Sequence, residues 1–185
     1  MGKVVDILKA RYASRSMKTD EIPEDVIKDM IEAIRLTPSC YNKQPWKYIF
    51  CTSSEGLEKG RECLVKPNRT WADRAPLLVF AYSKAEDDCN LKDGRAYGNQ
   101  SDVGTAWQWA FMLAATEHDL VARPMAGFMP DKVKETFEIP DEYKVIVAMA
   151  IGYYDPQEEH LPETLRGANA KPRERKDPDE FIRKV

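Results

Sequence analysis

Apolar positions along the chain change their period several times, and each change marks an element. Val4, Val5, Ile7, Leu8 and Tyr12 fall mostly on one helical face, which predicts a first helix over residues 4–13. The segment Ile22-Pro23-Glu24-Asp25 then sets a proline at a first helical position with acids in the first turn. Behind it Val26, Ile27, Met30, Ile31 and Ile34 recur with a helical period, so a second helix runs to Leu36. Residues 46–52 (WKYIFCT) read as a strand, and Ser53 or Ser54 is placed to cap a short helix through Leu64. A loop over Lys66, Pro67 and Asn68 is predicted to lead to Trp71.

Residues 76–82 (PLLVFAY) are apolar at nearly every position, the pattern of a strand buried on both faces. Residues 85–95 are acidic and polar and read as a mobile connection. Residues 102–118 predict one long helix that is apolar on more than one stripe, through Val103, Ala106, Trp107, Trp109 and Leu113. Such a helix is buried in its own core or against another chain, and the residues alone leave both open. Residues 121–128 suggest a short strand and turn, and 130–137 a small helix ended by Pro140. Residues 145–151 (VIVAMAI) suggest another buried strand, closed by Gly152-Tyr153-Tyr154. The charged, proline-interrupted block 158–185 has no core pattern of its own. Helices and strands alternate irregularly, so the fold class is α+β with a central mixed or antiparallel sheet flanked by helices.

At 185 residues the chain predicts a single domain spanning 1–185, with 158–185 as a C-terminal extension. Its formal charge of −3 implies no broad positive surface, which argues against nucleic acid as a partner. No apolar run approaches the roughly 18 residues of a membrane span. The N-terminal stretch carries Lys3, Asp6 and Lys9 and no apolar core, so no secretory signal is predicted and the expected location is cytoplasmic. Cys40, Cys51, Cys63 and Cys89 show no CxxC pair and fit neither a zinc site nor an iron–sulfur cluster. They read as reduced thiols, with no structural disulfide and no metal expected. Gly94, Gly98 and Gly104 are wrongly spaced for a dinucleotide loop, and neither a Walker loop nor GxSxG occurs. An enzyme without those devices must draw its hard chemistry from a bound organic cofactor.

Five blocks carry the polar chemistry. Arg11 and Arg15 stand four apart and share a face if the first helix continues that far; two guanidiniums could there grip a phosphate or a polarised carbonyl. The segment PSCYNKQPW (residues 38–46) brackets Ser39, Asn42, Lys43 and Gln44 between Pro38 and Pro45, which bias Thr37 and Gln44 out of the α region. Cys40 within it is read as a small buried residue. Asn68 offers a paired donor and acceptor suited to the edge of a heterocycle. Gly127, in Pro124-Met125-Ala126-Gly127-Phe128, permits a close backbone approach. Lys171 and Arg173 form a K-x-R pair near the end of the chain.

In this order, the blocks resemble the nitroreductase family of flavin mononucleotide (FMN) oxidoreductases, whose members carry a PSxxNxQPW loop after their second helix. The matching blocks also include Arg11 to Met17 and the strand ending at Gly152 to Tyr154. The resemblance implies a dimeric nitroreductase-like fold with FMN in each cleft between subunits. It implies that Arg11 binds the FMN phosphate with Lys171 and Arg173, and that Arg15 approaches N1 and O2 of the flavin. Tyr12 and Ala13 fall in the same cofactor-binding segment, where relatives often have Arg or His, then Ser; Ala13 lacks that hydroxyl. Pro38, Ser39, Cys40 and Tyr41 would wrap the flavin from the opposite subunit, with Asn42 and Gln44 holding that loop or touching the cofactor. Asn68 would pair with O4 and N3–H, and the backbone near Ala126 and Gly127 would face N5.

The activity so implied is ping-pong reduction of nitroaromatic, quinone or similar small electrophilic acceptors with hydride from NADH or NADPH. By the same resemblance Arg15 would stabilise negative charge on the reduced ring. Reductive dehalogenation, ene reduction and flavin cleavage occur on the same fold, and their distinguishing lids would fall at residues 85–97 and in the C-terminal block. A non-catalytic flavin-binding module is the alternative of a different class.

Overall fold

The computed structural model describes residues 2–87, 89–90, 96–97, 99–106, 111–168 and 173–185, with backbone alone at 89–90, 96–97 and 99–101. Helices α1 (Lys3–Ala10) and α2 (Glu24–Arg35) precede strand β1 (Lys47–Cys51). Helices α3 (Ser54–Glu62) and α4 (Lys66–Ala72) then lead into β2 (Leu77–Lys84). A small pair, β3 (Cys89–Asn90) and β4 (Ala96–Tyr97), is followed by α5 (Asn99–Thr105) and α6 (Met112–Glu117). Strand β5 (Leu120–Met125), α7 (Pro130–Thr136) and β6 (Tyr143–Tyr153) complete the regular elements.

The main sheet has the order β1-β2-β6-β5 and every pairing in it is antiparallel. The architecture is therefore α+β, with the antiparallel form of the predicted sheet. Apolar side chains cover both of its faces. Leu77, Val79 and Ala81 of β2 point to one side, where Met30 and Ile34 of α2, Val103 of α5 and Phe111 pack. Leu78 and Phe80 point to the other, against Trp71, Met17 and Val133. This two-sided burial explains why β2 and β6 read as continuous apolar runs rather than alternating ones. In β6 the alternation breaks once. Ala81 pairs with Val147 and Tyr82 with Val145, so Ile146 is the extra residue of a bulge. The bulge puts Val145 and Ala148 on the same face, three positions apart.

Two predicted elements change. Helix α1 stops at Ala10 instead of reaching residue 13, because Arg11 turns extended (φ −62°, ψ 130°) while its N–H still caps Ile7. The following serines offer the backbone an alternative to helix: the Ser14 hydroxyl accepts from the Ser16 N–H at 2.8 Å. Residues 11–17 run instead to a bridge between Met17 and Tyr154, and the Lys18 N–H donates to the Tyr153 carbonyl at 2.9 Å. The expected loop at Lys66–Asn68 is in fact the start of α4. Pro67 sits in its first turn, where the missing N–H would have had no helical partner. Ser53 is the cap of α3, accepting from the Gly56 N–H at 3.0 Å.

The stretch predicted as one helix over 102–118 takes in the end of α5, which begins earlier at Asn99, and all of α6, and Trp107 and Trp109 lie outside the described residues. Most of 88–95 does so too; the described parts of that connection are a helical turn at Ala85–Asp87 and β3. Residues 173–185 are exposed and carry one short turn, Pro178–Glu180.

Gly152 lets the N-terminal segment reach β6. A Cβ there would sit 2.8 Å from Pro76 Cδ and 3.3 Å from Met17 Cβ. Gly152→Ala should destabilise the fold by about 1–3 kcal/mol through overpacking. An unchanged urea midpoint would show that the segment is not held at this point.

Candidate functional site

The early end of α1 decides where the two N-terminal arginines go. Arg11 and Arg15 do not share a helical face, since the chain between them is extended. Arg11 lies with the C-terminal tail. Arg173 donates from Nη1 to the carbonyls of Arg11 and Leu8, and from Nη2 to that of Lys9 at 3.0 Å, finishing the open carbonyl end of α1. Burial lowers the Arg11 pKa below its ordinary value, and the nearby charges of Arg173 and Arg175 lower it further. Among the described residues none of these three guanidiniums forms an ion pair. Lys171 lies outside the described residues.

Tyr12 turns inward, edge-on to Tyr154 with ring centroids 5.4 Å apart. Burial, then the neighbouring Tyr154 and Glu158, push its hydroxyl up to about 12, so it stays protonated at neutral pH. The Ala13 carbonyl accepts from Arg123 of β5. Arg123 also lies over the Trp71 ring, 5.5 Å from its centroid. Burial and then the charge of Arg15 bring the Arg123 pKa down to about 10.

On the other side of Trp71 stands the Asn68 amide. Its Oδ1 accepts from Trp71 Nε1 at 3.3 Å, and its Nδ2 donates to the Gly127 carbonyl at 3.0 Å. Each of these bonds uses half of the amide's capacity, leaving one N–H and one lone pair for a ligand. Gly127 is packed against this side chain: a Cβ would meet Asn68 Nδ2 at 2.5 Å and Val65 Cγ2 at 2.9 Å. The Gly127 carbonyl also receives the Val65 N–H, whereas its own N–H has no acceptor among the described residues. Ala126 beside it is exposed.

The proline-bracketed loop is held from within. Ser39 Oγ accepts from the Gln44 N–H at 2.9 Å, and Gln44 Nε2 donates to the carbonyl and the side-chain oxygen of Asn42, each at 3.2 Å. Tyr41, Asn42 and Gln44 all take left-handed backbone, with φ of 49°, 56° and 47°. Pro45 does keep Gln44 out of the right-handed helical region, but into the left-handed one and not the extended one. Three such residues cost on the order of 1 kcal/mol or more each. Tyr41 is 83% exposed. The Cys40 N–H donates to Asp102 of α5 at 3.0 Å. Cys40 is disulfide-bonded, which corrects the expectation of reduced thiols throughout; Cys51 and Cys63 are free and buried.

Among the described residues no cluster of His, Cys, Asp and Glu could hold a metal. Ser16, His160 and Asp155 meet at 3.4 and 3.6 Å, in a pattern that suggests a nucleophile. Ser16 is fully buried, however, and donates to the Asp155 carbonyl at 2.6 Å, so it ties residues 14–17 to the end of β6. Sequence reasoning passed over Arg123 and Trp71. The available signal was a cation inside an otherwise apolar strand, directly before Pro124.

The candidate site thus combines cations that form no ion pair among the described residues with an amide pinned to a glycine backbone. A family model of the nitroreductase family matches residues 8–153, and the chain belongs to that family. An NADH dehydrogenase of Thermus thermophilus is 22% identical over 180 residues, covering 82% of this chain and 86% of its own length. A solved oxidoreductase containing FMN is 27% identical with a TM-score of 0.73, covering 86% of this chain and 80% of its own. The FMN- and NADPH-dependent nitroreductase NfnB from Sphigopyxis sp. strain HMH superposes with a TM-score of 0.78 at 15% identity, over 100% of this chain and 99% of its own. The fold is the nitroreductase fold.

Asn68 is the keystone of this edge. Asn68→Leu would leave the buried Trp71 N–H without its acceptor, at about 1–3 kcal/mol, and would take from the Gly127 carbonyl one of its two donors. Urea unfolding of the ligand-free protein should show at least that loss, and an unaltered midpoint would deny Asn68 its tethering role.

Proposed function

We propose that this chain is an FMN-dependent oxidoreductase that takes hydride from NADH or NADPH and reduces small electrophilic acceptors such as nitroaromatics and quinones. The observation that carries this reading is the gathering of guanidiniums that, among the described residues, form no ion pair with a carboxylate. Crowded like charges raise the free energy of the ligand-free protein, and an anion placed among them lowers it. Arg11, Arg173 and Arg175 form one such group, suited to a phosphate dianion. Lys171 belongs with them by position in the sequence. Arg15 and Arg123 form a second group, suited to the electron-rich N1/O2 edge of an isoalloxazine.

The remaining polar atoms fit the rest of that ring. The unused N–H and lone pair of Asn68 match O4 and N3–H. Gly127 lets the Asn68 amide lie against the backbone, and its N–H, without an acceptor among the described residues, is available to N5. FMN held there would supply two-electron chemistry, accepting hydride from the nicotinamide and passing reducing equivalents to the acceptor. The chain's own residues would bind, orient and balance charge. Arg15 would set a fixed cation where negative charge accumulates, in a site shielded from water.

A homodimer would complete the cleft. Strand β1 is an open sheet edge. Ile31, Leu36 and Tyr41 are exposed large apolar residues. Ile31 also helps to line a groove of about 340 Å³ together with Trp46, Tyr48 and Phe50. A second copy seated here would bring Pro38, Ser39 and Tyr41 to the partner's flavin. The two substrates would then use one open ring face in turn, which is ping-pong kinetics.

Purified protein should take up FMN, turn yellow, bleach with NADH or NADPH, and recover colour when a quinone is added. Failure to bind FMN would defeat the reading; binding without bleaching would leave a non-catalytic flavin module. Arg15→Ala should slow flavin reduction in stopped flow by tenfold or more, with a smaller effect on FMN retention; equal reduction rates would refute its role. Arg173→Ala should raise the FMN dissociation constant by about tenfold or more, the worth of one charge-assisted hydrogen bond. Unchanged retention on dialysis would reject that assignment.

A further inference from the structure

Arg123 stands apart from the blocks that resemble the family. It occupies β5 opposite Ala150, in a strand whose neighbours Val121 and Ala122 are buried. An arginine in such a place is normally matched by a carboxylate, because a half-buried charge left unpaired costs several kcal/mol. Among the described residues no carboxylate pairs with it. Its contacts are the Ala13 carbonyl, the face of Trp71 and the field of Arg15. Trp71 in turn donates to Asn68, which donates to Gly127. One guanidinium therefore braces the residue two before Arg15 and, on its other side, the indole that orients Asn68.

Geometry and charge give this brace two effects. By bonding Ala13 and stacking on Trp71, Arg123 fixes the spacing between the 13–15 segment and the Asn68–Gly127 edge. By adding its own charge close to that of Arg15, it raises the positive potential at that cation. Both effects favour whatever negative charge comes to lie in front of Arg15.

We propose that Arg123 is a positioning residue that acts through Arg15, holding it toward the flavin and making the site bind the reduced, anionic ring more tightly than the oxidised one. The proposal rests on the FMN reading given above. Its consequence is a reduction potential set partly by a side chain behind the ligand-contacting residues.

The test is the two-electron midpoint potential of FMN bound to the full chain, measured by equilibration with a reference dye, for the parent and for Arg123→Lys, Arg123→Met and Arg123→Gln. Arg123→Met should lose about tenfold in the preference for reduced over oxidised FMN, a fall of about 30 mV for a two-electron couple. Arg123→Gln, which keeps a donor for Ala13 but no charge, should fall similarly. Arg123→Lys should recover most of the parent value. A merely structural brace predicts otherwise: Gln and Met would loosen FMN in both redox states alike and leave the preference for reduced over oxidised FMN within twofold of the parent, and that result would overturn the proposal. Should Met fail to fold, Gln decides. Loss of FMN from Met and Gln with retention by Lys would also support the charge role, whereas loss from all three would assign Arg123 to packing and overturn it. A parent protein that takes up no FMN would instead defeat the underlying functional reading, a separate and visible outcome.

Discussion

Like charge held without its opposite is the constraint on which this molecule turns. Arg11, Arg15, Arg123, Arg173 and Arg175 are disposed about residues 11–15, and none is in an ion pair among the described residues. The chain is acidic as a whole, so carboxylates were available to neutralise them. The fold spends its acids elsewhere, in exposed helical pairs such as Lys28–Glu24 and Lys59–Glu55, which contribute little. An unbalanced patch of this kind is tolerable only against a rigid frame. The four-stranded sheet, packed on both faces, is that frame; Arg123 is fixed within β5, and Arg173 at the end of α1.

Much of the frame was legible in the chain. The periods of α2, β1, β2 and β6 were strong because each element buries a simple set of faces, and the capping serine of α3 sits directly at its start. What escaped was decided by long-range partners. Residues 11–13 have helical propensity, yet the pairing of Met17 with Tyr154 and the serine turns at 14–16 pull them extended. Residues 66–68 look like a loop because Pro67 reads as a breaker, although a proline in the first turn of a helix breaks nothing. The bulge at Ile146 is invisible in an unbroken run of apolar residues, where no polar position marks a change of face.

The site was legible in part, for a related reason. Arg11, Asn68, Gly127 and Arg173 are polar or small residues in recognisable blocks, and the structure gives each a specific contact. The inference that Arg11 and Arg15 share a helical face failed with the helix itself. The two cations serve different neighbours as a result, Arg11 with the tail and Arg15 with Arg123. The disulfide at Cys40 was missed because cysteine spacing says nothing about which loops meet. Arg123 and Trp71 were missed because single residues inside apolar strands and helices carry no spacing signal, and their importance comes from a stacking contact between elements distant in sequence.

The grip of Arg173 on the end of α1 joins the two extremities of the polypeptide through a single side chain. Three of its five N–H groups are engaged by helix carbonyls, so two are left for an oxyanion. An anion seated there would relieve the crowding with Arg11 and Arg175 and add to the tie between the tail and α1. Occupancy of the site would then be felt at the far end of the polypeptide, as a firmer hold on residues 173–185.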